Sequence, residues 1–253
     1  MKKQMRTLPF LPLAMAALAL AVVAPANGAT PFDEADIFFE LNNTDGDLGI
    51  HALIDGDAWQ KLTFASPDGR EKLRIVTSGT LKNHGLTELF FESAEPPFDE
   101  LPPARVFQRF KEGDWEISGT TIEGDELEST DRLSHVMPAP PGGITISGVP
   151  AVANCDVVPL PSVSPPVVIK WAPVTTSHPS IGKTGPIEVV RYQLVLELEE
   201  LDEVAFSVNL PPDVTEFEVP ADFIALGDAF KFEILVREET GNQTAIESCF
   251  EIQ

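Results

Sequence analysis

The C-terminal part of the chain alternates apolar and polar residues in short runs that are separated by turn residues. Three such runs are residues 167–171, 192–196 and 230–236. Alternation with a period of two places the apolar side chains on one face of a strand. Gly227-Asp228 and Gly241-Asn242 supply turns before and after the third run. The pattern predicts short strands that stack into one small β-sandwich.

The N-terminal half is also strand-like. Ser66-Pro67-Asp68-Gly69 predicts a hairpin turn, because proline presets the first turn angle and Asp-Gly completes the turn. Residues 102–110 then change to a helical period, with proline at the start and Gly113 beyond the end, which predicts one short amphipathic helix. The candidate strands are residues 36–41, 50–54, 62–64, 73–76, 88–91, 115–119 and 127–136.

The C-terminal residues resemble a fibronectin type III domain. Trp171 stands where that family has a tryptophan in its second strand, and Tyr192 where it has a tyrosine in its third. Phe230 occupies the position of the family's corner tyrosine, and residues 175–183 lengthen the connection between Trp171 and Tyr192. The resemblance covers residues 145–253 and implies that Trp171 and Tyr192 anchor the core. The N-terminal half resembles uncharacterised exported bacterial proteins that have a run like residues 41–47 followed by Asp55-Gly56, a similarity that implies no activity.

The first 28 residues and the Pro/Gly-rich segment in the middle of the chain predict how it divides into a signal peptide and domains. Lys2, Lys3 and Arg6 precede an apolar run over residues 11–23 and then small residues, the order of a secretory signal. The alternative is a retained membrane anchor, which the short apolar run and Pro25 disfavour. We therefore expect an all-β protein with two β-sandwich domains. The divisions are a signal peptide (1–28), a β-rich domain with a single short helix (30–137), a Pro/Gly linker (138–144) and the fibronectin type III-like domain (145–253).

Charge and cysteine content limit the partners and the compartment. Removing the predicted signal takes the formal net charge from −23 to −26. A chain this acidic repels nucleic acids and anionic membrane surfaces. Cys155 and Cys249 are the two cysteines, and a pair in an exported protein predicts one disulfide, the alternative being two buried thiols. We expect a secreted or periplasmic location.

Chemical motifs are weak. Asn43, Asp45 and Asp47 alternate as calcium ligands often do, but Leu48 stands where such a loop needs glycine, so the pattern favours a plain turn, with structural calcium as the alternative. The histidines form no zinc motif and are expected at surface or half-buried positions. No nucleophile elbow or phosphate-binding glycine loop occurs. The sequence therefore predicts no catalytic, cofactor-binding or metal residues. The histidines are His51, His84, His135 and His178.

Two functional hypotheses follow. The first is a non-catalytic exported protein whose sandwiches act as a spacer and as an interaction surface for an extracellular protein or a glycan. The second is a carbohydrate-active enzyme, or an accessory protein, with an N-terminal ligand-binding sandwich. An aromatic-lined concave face near Trp59 or Trp115 would favour the second hypothesis, and buried tryptophans without an adjoining pocket would disfavour it.

Overall fold

The computed structural model describes residues 28–199 and 201–253. The predicted signal peptide therefore lies outside the described residues, apart from Gly28. No helix in the described ranges is long and apolar enough to cross a membrane. The N-terminal half contains β1 (Glu34–Asn42), β2 (Asp47–Ala65), β3 (Glu71–Val76), α1 (Leu81–His84), β4 (Leu86–Glu92), α2 (Pro103–Arg109), β5 (Gly113–Thr121), β6 (Glu126–Leu133) and β7 (Val136–Pro138).

The C-terminal half contains ten strands and a single helical turn among the described residues. They are β8 (Gly142–Ile146), β9 (Val149–Pro150), β10 (Ser162–Val163), β11 (Val168–Ala172), β12 (Ser177–Gly182), β13 (Val189–Leu198), β14 (Leu201–Leu210), β15 (Glu216–Glu218), α3 (Ala221–Ile224), β16 (Ala229–Glu238) and β17 (Gln243–Ile252).

The long strand β2 organises the N-terminal half. Its first part pairs with β1 and β4, and its second part pairs with β3 and β5, with a register shift between Asp55 and Trp59. The strand therefore contributes to both sides of one hydrophobic core. The predicted hairpin is present, with Phe64 opposite Leu73. The predicted helix is α2, and Val106 is its buried residue. The N-terminal half also contains the short helix α1, which was not predicted.

The C-terminal half is a β-sandwich, which confirms the predicted fold class. One sheet has the order β15-β11-β8-β9, and the facing strands have the order β14-β13-β16-β17. Trp171 and Tyr192 are both buried in the core between them, with ring centroids 5.4 Å apart in an edge-to-face arrangement. The Tyr192 hydroxyl accepts a hydrogen bond from the Val174 backbone N–H at 2.9 Å, so its polar group is satisfied inside the core.

The two halves share one sheet. The last strand, β17, runs parallel to β1 and pairs with it from Glu40 opposite Gln243 to Asn42 opposite Ala245. This pairing makes a continuous path β14-β13-β16-β17-β1-β2-β5-β6 through both halves. The lengthened connection that departs from the family pattern forms β12, which pairs with β7 of the N-terminal half. Ile181 of β12 also packs against the N-terminal core.

The segment predicted as a linker is anchored at both ends. Pro138 ends β7 and accepts a hydrogen bond from the Thr244 hydroxyl at 2.8 Å, and Gly142 begins β8. The segment is therefore a short connection between strands of two closely attached halves. The division into two domains stays a prediction, because each half has a core of its own while the sheet continues through both.

Candidate functional site

An apolar cavity lies in the N-terminal half. Its volume is about 370 Å³. Protein sites for small molecules typically have roughly 300–1,000 Å³ and mainly apolar walls with a few polar groups. Both properties are therefore those of a site for a small apolar molecule. The apolar lining consists of Ile37, Ile50, Phe64, Leu73, Ile75, Leu89, Phe91, Phe110 and Trp115, and the polar lining of Lys72 and Ser93.

The cavity exists because two strands are not paired with each other. Strands β3 and β4 both pair with β2, but at different places along it. Leu73 and Ile75 on β3 and Leu89 and Phe91 on β4 point towards the cavity and remain half-buried, while their strand neighbours are exposed. The gap between the strands therefore leaves apolar inward-facing side chains partly accessible to solvent.

Two polar side chains that line the cavity already have hydrogen-bond partners. The Trp115 indole N–H donates to the Lys111 carbonyl at 2.9 Å, so the ring forms an apolar wall without an unpaired polar atom. The Ser93 hydroxyl accepts from the Ile50 backbone N–H at 3.0 Å and donates to the Ala94 carbonyl. Lys72 is the one lining residue with a titratable side chain, so the lining contains no acid–base pair.

A buried asparagine joins the two halves. The Asn242 amide oxygen accepts from the Phe39 N–H at 2.8 Å, and the amide nitrogen donates to the carbonyls of Ser134 and Val136 at 3.0 and 2.9 Å. Asn242 is 0 % exposed, so water does not reach its amide group. The Phe39 N–H and the carbonyls of Ser134 and Val136 therefore depend on this one side chain for their hydrogen bonds. In the sequence this residue had the signature of a turn, which does not indicate a wholly buried side chain.

A charged groove lies on the face of the shared sheet opposite the N-terminal core. It is lined by Phe38, Glu40, His51, Leu53, Phe90, Glu92, Arg191, Gln193, Val195, Glu233, Leu235, Arg237 and Gln243. Among its residues, Glu233 of β16 stands opposite Glu247 of β17. Burial, together with the charges of Glu40 and Glu247, raises the pKa of Glu233 to about 8. A carboxyl group in this position keeps its proton near neutral pH and loses it at mildly alkaline pH.

We predict that Glu233→Gln removes a loss of stability at alkaline pH. Because the pKa of Glu233 is higher in the folded protein than in the unfolded chain, its contribution to stability is complete below about pH 4.5 and is lost as the pH rises through about 8. The variant should be more stable than the natural protein by about 2 kcal/mol at pH 8.5, a figure reduced for partial solvent exposure. At pH 5 the difference should be small.

Urea unfolding at both pH values measures this effect. The exposed strand residue Glu128 provides a matched control, since Glu128→Gln removes the same charge without burial. Equal pH dependence in Glu233→Gln and in the natural protein would contradict the prediction.

The structure contains the predicted disulfide. Cys155 and Cys249 are bonded, with their Cα atoms 5.1 Å apart. The bond holds the loop after β9 against β17, where that strand changes partners from β1 to β10. The Ser248 hydroxyl donates to the Val152 carbonyl at 2.9 Å beside it. The disulfide thus reinforces the strand that connects the two halves.

The segment weighed as a turn or a calcium loop is an Asn-centred turn between β1 and β2. The Asn42 amide oxygen accepts from the Asp45 N–H at 3.1 Å, and the Asn43 amide oxygen lies 3.1 Å from His178 Nε2. Burial and nearby carboxylates raise the pKa of Asp47 to about 6. Structural calcium stays the alternative to a plain turn.

The histidines lie in four different environments. His84 is exposed, as expected, and His135 Nε2 lies 2.8 Å from the Phe110 carbonyl. The expectation was wrong for His51 and His178, which are 3 % and 7 % exposed. His51 is covered because the rings of Phe38 and Phe90 from neighbouring strands lie beside it.

His51 also has carboxylate neighbours that the sequence did not indicate. One potential ligand atom from each of His51, Glu92 and Glu95 lies within 4.8 Å of the other two. In the described part of the chain, this is the one group of three or more histidine, cysteine, aspartate or glutamate side chains with that spacing. They come from two strands and a loop, so no local spacing motif reveals them.

Trp59 and Trp115, the tryptophans whose surroundings would distinguish the two functional hypotheses, are both buried. Trp59 is 0 % and Trp115 is 1 % exposed. Trp115 nevertheless adjoins the cavity, whereas Trp59 lies in the core with its indole N–H unpaired. Neither ring offers an exposed platform on which a sugar could stack.

These features define an all-β protein with sandwich architecture and an apolar cavity. No family model matches the chain, and no curated protein matches it. Among solved structures, it is similar to the "tetra-tandem repeat in extending region of large adhesion protein", with 10% identity, a TM-score of 0.29, and coverage of 87% of this chain and 49% of that one. It is also similar to the "chicken CNTN1 FN1-FN3 domains", with 12% identity, a TM-score of 0.31, and coverage of 88% and 69%. The chain thus spans about half the length of the adhesion-protein structure.

Proposed function

We propose that this chain is an exported, non-catalytic binding protein. In this proposal a fibronectin type III-like sandwich acts as a rigid spacer for an N-terminal half that takes a small apolar ligand. The cavity beside Trp115 carries the proposal, because apolar side chains form most of its wall and remain partly accessible.

Export and the spacer role have separate support. The basic, apolar and small segments at the start of the sequence favour secretion or transfer to the periplasm. A disulfide suits an oxidising compartment. Trp171 in β11 and Tyr192 in the facing strand β13 support the fibronectin type III assignment. Sheet pairing between the halves supports a fixed orientation of the cavity relative to the spacer.

The lining favours an apolar ligand over a glycan. Sugars are bound through many hydrogen bonds and through exposed aromatic faces, but the Ser93 hydroxyl is already engaged and Trp115 is buried. An apolar ligand would instead cover the exposed parts of Leu73, Leu89 and Phe91, which removes apolar surface from water. A ligand with a small polar group at the rim could place that group near Lys72.

A neutral fluorescent probe, N-phenyl-1-naphthylamine, tests this proposal. We expect saturable binding of one probe per chain with a Kd on the order of 10 µM, the affinity that about 0.4 kcal/mol per heavy atom gives. Energy transfer from tryptophan to the probe should accompany binding, because Trp115 lines the cavity.

Leu89→Trp is the blocking variant. The larger side chain enters the cavity from β4 and should weaken probe binding at least tenfold. The matched control is Leu201→Trp, at a residue that is 58 % exposed on β14. Equal affinity of Leu89→Trp and Leu201→Trp for the probe would show that the cavity is not the binding site.

A further inference from the structure

The charged groove contains a buried histidine between carboxylates. His51 Nε2 lies 2.9 Å from Glu95 Oε1, and His51 Nδ1 lies 3.8 Å from Glu40 Oε2. Glu92 completes a group whose ligand atoms lie within 4.8 Å of one another. Three carboxylates therefore surround one imidazole that is 3 % exposed.

The imidazole is held in a fixed orientation. The Phe38 and Phe90 rings flank it at centroid distances of 5.4 and 5.9 Å. Glu40 faces Nδ1 and accepts a hydrogen bond from the Gln243 side chain. In metal sites a ligating histidine commonly donates its second ring N–H to a carboxylate, which fixes the ring and its tautomer. Glu40 Oε2 lies 3.8 Å from Nδ1, so it would have to move closer to accept this hydrogen bond, which would leave Nε2 for a metal ion.

Gly49 makes room for the Glu95 carboxylate, which lies beside Nε2 of His51. A Cβ at this position would lie 1.9 Å from Glu95 Oε1 and 2.7 Å from Glu95 Cγ. Gly49 does not have a positive φ, so its backbone conformation does not require glycine. Glycine inside a strand is unfavourable unless another group approaches closely. The glycine in β2 is therefore explained by the path of the Glu95 side chain towards His51.

Among the described residues, the one cationic partner of these carboxylates is His51 in its protonated form. Within the described residues, no lysine or arginine nitrogen lies within 4.0 Å of Glu40, Glu92 or Glu95, and the ion pairs of Glu40 and Glu95 are with His51. The nearby Arg237 is engaged elsewhere, since it pairs with Asp36 at 2.6 Å. A divalent cation would add positive charge beside all three carboxylates.

We propose that His51, Glu92 and Glu95 bind one divalent cation of the zinc type, with Glu40 as the positioning residue for His51. One imidazole and two carboxylates suit Zn²⁺, whereas Ca²⁺ and Mg²⁺ prefer sites made of oxygen ligands alone. Bond lengths of about 2.1 Å place tetrahedral ligand atoms about 3.4 Å apart. His51 and Glu95 would separate slightly to reach this distance, and the exposed side chain of Glu92 is free to turn inwards.

Titration calorimetry of the chelator-treated protein with ZnCl₂ tests the site. We expect one Zn²⁺ per chain, and retention of that ion in excess Ca²⁺ or Mg²⁺. Glu40→Gln should weaken Zn²⁺ binding by about 10-fold to 100-fold, as loss of an orienting carboxylate does, and His51→Gln should weaken it more. Circular dichroism of each variant establishes that it is folded.

The control variants distinguish a specific metal site from nonspecific attraction of Zn²⁺ to an acidic protein. Glu126→Gln/Glu128→Gln removes two exposed strand carboxylates and should leave Zn²⁺ affinity unchanged, whereas Glu92→Gln/Glu95→Gln removes the same charge and should abolish the tight site. His84→Gln, at an exposed histidine, is the control for His51→Gln. Equal isotherms for His51→Gln and His84→Gln would overturn the proposal, as would displacement of Zn²⁺ by Ca²⁺ or the absence of Zn²⁺ binding to the natural protein.

Discussion

Asn242→Ala should lower the free energy of unfolding by about 3–5 kcal/mol. The substitution leaves the Phe39 N–H and the carbonyls of Ser134 and Val136 without the amide that now satisfies them. Each buried polar group that loses its partner costs about 1–3 kcal/mol. Water entering the new space would offset part of this sum, which is why we place the total below the upper limit.

Urea unfolding of the natural protein and the variant measures this difference. Asn209→Ala is the matched control, because Asn209 is an exposed asparagine within β14. The control should change stability by less than about 0.5 kcal/mol. If Asn242→Ala destabilises by less than 1 kcal/mol, the side chain does not hold the two halves together as described.

Removing the disulfide should also have a large effect. We expect Cys155→Ala/Cys249→Ala to lower stability by about 2–4 kcal/mol, because the bond closes a loop between residues 94 positions apart and so restricts the unfolded chain. The fold should persist, since β17 keeps its pairing with β16 and β1.

A reducing agent provides the internal control for this prediction. In excess dithiothreitol the natural protein and the double variant should unfold at nearly the same urea concentration. Mass spectrometry of alkylated, non-reduced protein identifies the bond directly. Two alkylated cysteines in protein taken from an oxidising compartment would contradict the disulfide.

Local patterns in the sequence were sufficient for much of the fold. The Pro-Asp-Gly turn predicted the hairpin of β2 and β3, and the change of period predicted α2. Alternation around Trp171 and Tyr192 predicted the C-terminal sandwich. Each of these features depends on residues that are close in sequence or on a strong binary pattern, and such signals survive without any knowledge of long-range contacts.

The connection between the halves could not be predicted in the same way. β1 and β17 come from opposite ends of the described chain, and their parallel pairing uses backbone groups that every strand offers. Gly241-Asn242 had the signature of an ordinary turn, although Asn242 is wholly buried. The one feature of the sequence that pointed to this connection was the segment between Trp171 and Tyr192, which is longer than in fibronectin type III domains. This segment contains β12, which pairs with β7.

The candidate sites illustrate the same limit. Alternation in β3 and β4 predicts which side chains face inwards, but it does not reveal that the two strands leave a gap. His51, Glu92 and Glu95 meet because β2 and β4 are neighbours, and no spacing rule applies to residues brought together by strand pairing. The disulfide was predictable because a chain with two cysteines allows a single intramolecular pairing.

A crystal structure of the protein with N-phenyl-1-naphthylamine tests the proposed function most directly. We expect electron density for one probe molecule between β3 and β4, in contact with Phe91 and Trp115. A structure in which β3 and β4 close over the cavity and the probe lies elsewhere, or is not bound, would contradict it.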